Sequence, residues 1–459
     1  MSESPTSTPQ SDTSAGHDPP VGTEAPHSKL TALGHAIGSS WALLVGIAIL
    51  MLGSGLQGSL LGIRATVEGF STTTVGLLMS SYYLGYLVGS TQAPRLVATV
   101  GHIRVFAAFA SVASSAVLLH SIAVEPLGWV MFRVISGFCM AGLFVVAESW
   151  LNDAATNETR GSILSLYGVV VAGSMAAGQL LLTLADPGGF ELFILTSVLL
   201  SLALVPAALS VRSGPRFLQP KPVSLADVFH TAPLGIIGAI LAGGAAGGIF
   251  GMGVIYAQLV GLTFSQTATF MFVTILGGAA MQWPIGALSD RTDRRRVISA
   301  VGFAAAAVCI YGATGPEGNL LYVAIGLTGG LSLPLYALLN AHTNDWIDPE
   351  QMVGAGSRLI LASGLGAIAG PFLAAFAMRV FGAAGFFWFL AVVHAGVGLY
   401  AAWRLTRRRA KPVSEQSHFA AIPARGSGVL VSSLYPEAYD ADDEPVYMTA
   451  EMPIITIDD

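Results

Sequence analysis

A chain of 459 residues that is 53 % hydrophobic and only 10 % charged is not a soluble globular domain, in which about 25 % of residues are charged. Its two cysteines, Cys139 and Cys309, fall inside apolar runs, which excludes a disulfide framework and gives no metal-ligand spacing. The formal charge of −6 resides in the tails: residues 412–459 carry nine acids and one base, residues 1–35 carry four acids and one base, and the stretch between them is net basic.

In chain order, residues 1–35 are rich in Ser, Thr, Pro and Gly and form a tail expected to be disordered, because such a composition cannot bury enough apolar surface. No basic segment precedes a short apolar run, so no cleaved signal peptide is expected. Twelve apolar runs follow, near 40–63, 74–94, 104–123, 127–149, 161–185, 190–211, 233–260, 264–286, 297–314, 320–342, 356–378 and 382–403. A helix crossing a bilayer needs about 20 such residues. The connection 212–232 holds Pro215, Pro220 and Pro222 with Arg212, Arg216 and Lys221. It is expected to link a six-helix bundle at 36–211 to a second at 233–405. Residues 406–459, basic and then acidic, form a second tail expected to be disordered.

The placement of Lys and Arg predicts orientation. With the N-terminus inside, 17 of the 21 bases lie on the cytoplasmic side and two, Arg64 and Arg379, on the other. Such a bias is decisive under the positive-inside rule and predicts that both termini are cytoplasmic. The two halves also read as copies. At an offset of 192, Arg104-Val105 aligns with Arg296-Val297, Asn152-Asp153 with Asn344-Asp345, and Gly178-Gln179 with Gly370-Pro371. Each match falls at an equivalent topological place, as in parallel repeats related by an axis along the membrane normal.

Between the eighth and ninth runs stands Gly286-Ala-Leu-Ser-Asp290-Arg291-Thr-Asp-Arg294-Arg-Arg296. As chemistry alone it is a short loop whose bases fix topology. It also resembles the Gly-x-Leu-x-Asp-Arg-x-x-Arg-Arg signature of the major facilitator superfamily. The fourth run, Arg133-Val-Ile-Ser-Gly137-Phe-Cys-Met-Ala-Gly142, is similar to the superfamily's fourth-helix motif of an arginine followed by glycines. Gly101-His-Ile-Arg-Val-Phe, Ala147-Glu-Ser-Trp-Leu-Asn152, Asn340-Ala-His-Thr-Asn-Asp345 and Pro349-Glu-Gln-Met352 resemble the bacterial YcaD-like subfamily. The resemblance covers roughly residues 38–405. It implies an all-α membrane protein of twelve transmembrane helices in two six-helix pseudo-repeats, working as a secondary transporter by alternating access. The chain departs from the pattern in two places. The first-half loop, Gly89-Ser-Thr-Gln-Ala-Pro-Arg95, has no acid, and the fifth run carries Gly178-Gln179 where many drug/proton antiporters have Gly-Pro.

Charged groups in a membrane span are costly, about 2.5–3.5 kcal/mol at the centre on insertion scales, so the few present are candidates for function. Arg133 either reaches the interface or pairs with a nearby carbonyl, or it faces a central cavity as the partner of an anionic substrate group or a controller of proton release. Its counterpart at the repeat offset is Ile325, so the charge is one-sided. Gln57, Tyr256 and Gln258 lie at similar depth, and the family topology implies that they share a polar substrate layer with Arg133. For each glutamine, an interhelical hydrogen bond is an equal reading. The family also implies ion pairs at a cytoplasmic gate: Asp290 and Asp345 with Arg291 or Arg294, and Glu148 or Asp153 with Arg95 or Arg104. The plain alternative is solvated loop charges worth about 0–1 kcal/mol. Glu148 is the leading candidate proton carrier. Gly-rich stretches in the first and seventh runs allow either close helix approach or bending.

The function expected is secondary active transport of a small organic solute across a bacterial inner membrane, coupled to protons, by a monomer that needs no cofactor and no metal and binds no nucleic acid. The alternatives are a multidrug or metabolite efflux antiporter, and a receptor or scaffold acting through the acidic C-tail. No phosphate-binding loop and no hydrolase or metallopeptidase motif is present, so an enzyme is not expected.

Overall fold

The computed structural model describes residues 26–154, 159–209, 223–407, 409–417 and 419, and every regular element among them is helical. Twelve long helices are numbered here in chain order. The first half holds α1 (Pro26–Val67), α2 (Thr72–Val100), α3 (His102–Ile122), α4 (Pro126–Ala154), α5 (Arg160–Leu180) and α6 (Glu191–Leu202, continued by Leu204–Ala208). The second half holds α7 (Pro233–Leu259), α8 (Phe264–Ser289), α9 (Arg294–Ala313), α10 (Asn319–Ser332 and Leu335–Asn344), α11 (Met352–Phe381) and α12 (Gly385–Arg407). A short helix, Leu225–Thr231, leads into α7. Of the expected connection 212–232, residues 212–222 lie outside the described residues.

Nine stretches among the described residues are long and apolar enough by composition to cross a membrane, and one of these, Met352–Arg407, contains both α11 and α12. The helix α2 is long enough, but its serines, threonines and tyrosines make it less apolar, and α6 is the short apolar stretch Glu191–Pro206. Two boundaries differ from the sequence reading. Helix α1 begins at Pro26, well before the first apolar run, because helix formation needs only satisfied backbone groups and not an apolar face. Residues 409–417 and 419, expected in a disordered tail, lie folded against the end of the bundle that carries Arg294.

Helix starts are specified locally. Ser71 caps α2 by accepting from the Thr74 amide at 3.1 Å. Thr263 caps α8 through a reciprocal pair with Gln266, which satisfies two amides left open by the first turn. These two caps are 192 residues apart, and so are the turns before them. Gly69 and Gly261 both take positive φ, +74° and +81°, a conformation open to glycine without a Cβ penalty.

The packing repeats at the same offset. A Cβ on Gly55 of α1 would run into the Met175 carbonyl of α5, and one on Gly247 of α7 into the Ala367 carbonyl of α11. Gly85 sits on the Val134 carbonyl where α2 meets α4, and Gly277 on the Gly326 carbonyl where α8 meets α10. The glycines are therefore close-approach points, where small residues let backbones touch. Between the halves, α2 packs on α11 and α5 on α8.

Candidate functional site

The glycine contacts bring the two halves together most tightly at the end opposite Arg294. There a Cβ on Gly76 of α2 would lie 2.5 Å from the Ala375 Cβ of α11. Met79 fills the space left by Gly62 of α1 and Gly251 of α7. Nearer mid-depth the halves part around a narrow cavity of about 50 Å³. Helix α2 supplies one wall with Tyr82, Tyr83, Tyr86, Leu87 and Ser90. Helices α7, α10 and α11 supply the other, including Phe250, Tyr336 and Ser363.

Arg133 is buried behind this wall. Its guanidinium lies 4.4 Å from the centroid of the Tyr82 ring, within range of a cation–π interaction, and Nη2 is 3.9 Å from the Met79 sulfur. Tyr82 thus stands between Arg133 and the cavity. The other residues expected in a polar layer lie elsewhere. Gln57 is buried in α1, with Nε2 lacking a hydrogen-bond partner among the described residues. Tyr256 packs its ring 5.1 Å from that of Phe386 and 5.0 Å from that of Phe387. Gln258 donates to the Thr267 hydroxyl at 2.7 Å and so ties α7 to α8.

Glu148 is 1 % exposed on α4 and accepts a hydrogen bond from the Tyr167 hydroxyl of α5 at 2.8 Å. Tyr167 had no sequence signal, since its partner is 19 positions away on another helix. In the sequence, Gln179 is distinguished only by standing where many antiporters have proline. It donates to the Gly55 carbonyl at 3.0 Å and accepts from Ser59, so it links α5 to α1.

At the arginine-rich end of the second half, Asp290 closes α8, Asp293 starts α9 and Asp345 closes α10. Arg294 lies among them. Its Nε is 3.1 Å from Asp345 and its Nη2 is 3.4 Å from Asp290. The chain beyond α12 completes the cluster. The Ser417 amide and hydroxyl each donate to Asp345 at 2.9 Å, Arg294 donates to the Ser417 carbonyl, and the Phe419 amide donates to Asp290 at 2.9 Å. The Phe419 ring covers Gly286. Burial pushes the Asp345 carboxyl up, against the opposing pull of Arg294, the Ser417 donors and Lys411. Burial would also raise Asp293, but the hydrogen bonds and charge of Arg295 outweigh it and hold that carboxyl below its usual value.

The first half has no copy of this cluster. At the repeat offset, His102 stands in place of Arg294 and Ala98 in place of Asp290. His102 stacks on Trp150, with ring centroids 6.1 Å apart. Arg95, Arg104 and Arg291 are exposed, and the side chain of Asp153 lies outside the described residues.

The Major Facilitator Superfamily model matches residues 43–339 and 274–435. An uncharacterized MFS-type transporter of Yersinia pestis is 25 % identical over 383 residues, covering 83 % of this chain and 97 % of that protein. The uncharacterized MFS-type transporter YcaD of Escherichia fergusonii is 25 % identical over 340 residues, covering 73 % and 88 %. In fold, the chain is similar to the nucleoside transporter NupG (TM-score 0.66, 13 % identity, 80 % of this chain and 99 % of that one). It is also similar to a bacterial homologue of the lysosomal transporter Spinster in an inward-facing, occupied conformation (TM-score 0.64, 14 % identity, 86 % and 99 %). Twelve helices in two repeated halves, a signature loop between the second and third helices of the second half, and a family match across most of the length carry one conclusion: this is a multi-pass membrane transporter that belongs to the Major Facilitator Superfamily.

Proposed function

We propose that the protein moves a small organic solute across the bacterial cytoplasmic membrane by alternating access, as a monomer, with proton movement linked to transport. The observation that carries this reading is the cavity itself. Its walls come from both halves, and the halves close against each other on one side of it, at Gly76 and Ala375. Rocking one half against the other would then expose the same cavity to opposite sides in turn. The excess of Lys and Arg at the other end supports placing that end, with both termini, in the cytoplasm.

Asp290, Arg294 and Asp345 would act as a latch at the cytoplasmic end of the second half. Glu148 would carry the proton. It is a buried carboxylate in a membrane helix, the kind of group that marks proton relays, and the Tyr167 hydroxyl fixes its orientation. Arg133 would act on the cavity through the Tyr82 ring it covers.

The test is solute-dependent proton flux in proteoliposomes with an internal pH dye and an imposed pH gradient. Wild-type protein should acidify or alkalinise the lumen only when solute is added. Glu148→Gln should abolish proton movement while retaining solute exchange. Solute flux that ignores the gradient would remove the proton coupling, and absence of any solute flux would remove the transport mechanism.

A further inference from the structure

The cavity between the halves has a specific chemistry. Tyr82, Tyr83, Tyr86, Phe250 and Tyr336 line it with aromatic rings from both halves, and among the described residues that line it there is no carboxylate, ammonium, guanidinium or imidazole. An ion entering it would lose its hydration without meeting a counter-charge among these lining residues, which is costly. Ring faces can stabilise a cation, but the Tyr82 face is already covered by Arg133 at 4.4 Å, and that fixed positive charge repels a second one. Aromatic rings also accept another ring in offset or edge-on packing, and the cavity, at about 50 Å³ smaller than the roughly 150 Å³ that holds a benzene ring, would take one as the halves part.

One polar group in the wall stands out. Tyr336 is 5 % exposed, and its hydroxyl has no hydrogen-bond partner among the described residues. Buried hydroxyls are nearly always paired, and leaving one unpaired is unfavourable. The repeat shows that the fold does not require it, because the counterpart of Tyr336 at the offset of 192 is Phe144. Phe144 packs its ring against Tyr86 at 6.3 Å without any hydroxyl. The second half therefore carries an extra polar atom on the cavity wall, with no partner among the described residues and within reach of a ligand in the cavity.

Building on the transporter reading, we propose that the cavity binds an uncharged aromatic solute, its ring held between Tyr82, Tyr86 and Phe250 and a polar substituent hydrogen-bonded to the Tyr336 hydroxyl. The test uses purified full-length protein in detergent and four matched probes: benzamide, benzoate, benzylammonium and cyclohexanecarboxamide. Saturable thermal stabilisation should be strongest for benzamide and at least tenfold weaker in apparent affinity for the other three. Tyr336→Phe, the residue the repeat itself uses, should fold normally and bind benzamide about tenfold more weakly. Ala246→Leu, which fills much of the cavity, should abolish the effect. Equal or tighter binding of benzoate or benzylammonium, unchanged benzamide binding by Tyr336→Phe, or no saturable benzamide binding would each overturn the proposal. Because binding is read without flux, the two readings fail separately. Benzamide binding with no transport in proteoliposomes would remove the transport mechanism and leave the ligand class, whereas transport of anions alone would do the reverse.

Discussion

Arg294 and Asp345 meet at 3.1 Å with their side chains only 1 % and 3 % exposed, although they start and end different helices. Removing one member of a buried pair strands the other, which costs about 3–5 kcal/mol. Asp345→Ala should therefore lower the thermal midpoint markedly. The double change Arg294→Leu with Asp345→Leu should recover a large part of the loss. Additive losses in that double variant, by thermal unfolding, would show that the two do not act as a pair.

The same carboxyl predicts a pH dependence. Burial raises the Asp345 pKa above its unfolded value, so the folded state binds this proton more readily than the unfolded state does. The resulting stabilisation is fully present below the ordinary aspartate pKa of about 3.9 and is lost as pH rises through the folded value. Asp345→Asn should flatten that portion of the stability profile, measured by unfolding across a pH series. An identical slope in the variant would assign it to other groups.

Ser417 holds Asp345 with two donors from beyond the last helix. A hydrogen bond to a charged group contributes about 1.5–3 kcal/mol. Ser417→Pro removes both donors and should destabilise the protein by that order or more, whereas Ser417→Thr should not. Thermal unfolding of the pair of variants separates the hydrogen bonds from the mere presence of a side chain.

Glycines in α1 should divide sharply. Gly55 faces the Met175 carbonyl, whereas a Cβ on Gly58 would meet nothing within 4 Å. Overpacking typically costs about 1–3 kcal/mol, so Gly55→Ala should destabilise by that order. Gly58→Ala should be neutral or stabilising by up to about 1 kcal/mol, because alanine favours the helix. Equal effects of the two would contradict the close approach of α1 and α5.

Tyr167→Phe removes the hydroxyl that donates to Glu148 while keeping the ring. A loss of about 0.5–1.5 kcal/mol in stability is expected for one buried hydrogen bond. Glu148→Gln with Tyr167→Phe should cost less than the sum of the two single changes, as read by a double-mutant cycle.

The sequence by itself determined the class of the protein and its repeat. Membrane spans need long runs of apolar residues, and a duplicated half keeps its turns and caps in register, so both features are written along one dimension. The offset of 192 found in three short matches also governs Gly69 and Gly261, Ser71 and Thr263, and Gly55 and Gly247. The acidic and basic residues of the signature loop were legible for the same reason. Only the tertiary structure decided which groups meet across helices. Depth along a helix does not fix the direction a side chain faces, so Arg133, Gln57, Tyr256 and Gln258 share a depth on paper, yet Arg133, Tyr256 and Gln258 have separate partners in space. Tyr336 acquires its significance from the wall it joins, and Ser417 from a chain that folds back over the loop. Those contacts depend on helix rotation and on packing between distant segments, which no local pattern encodes.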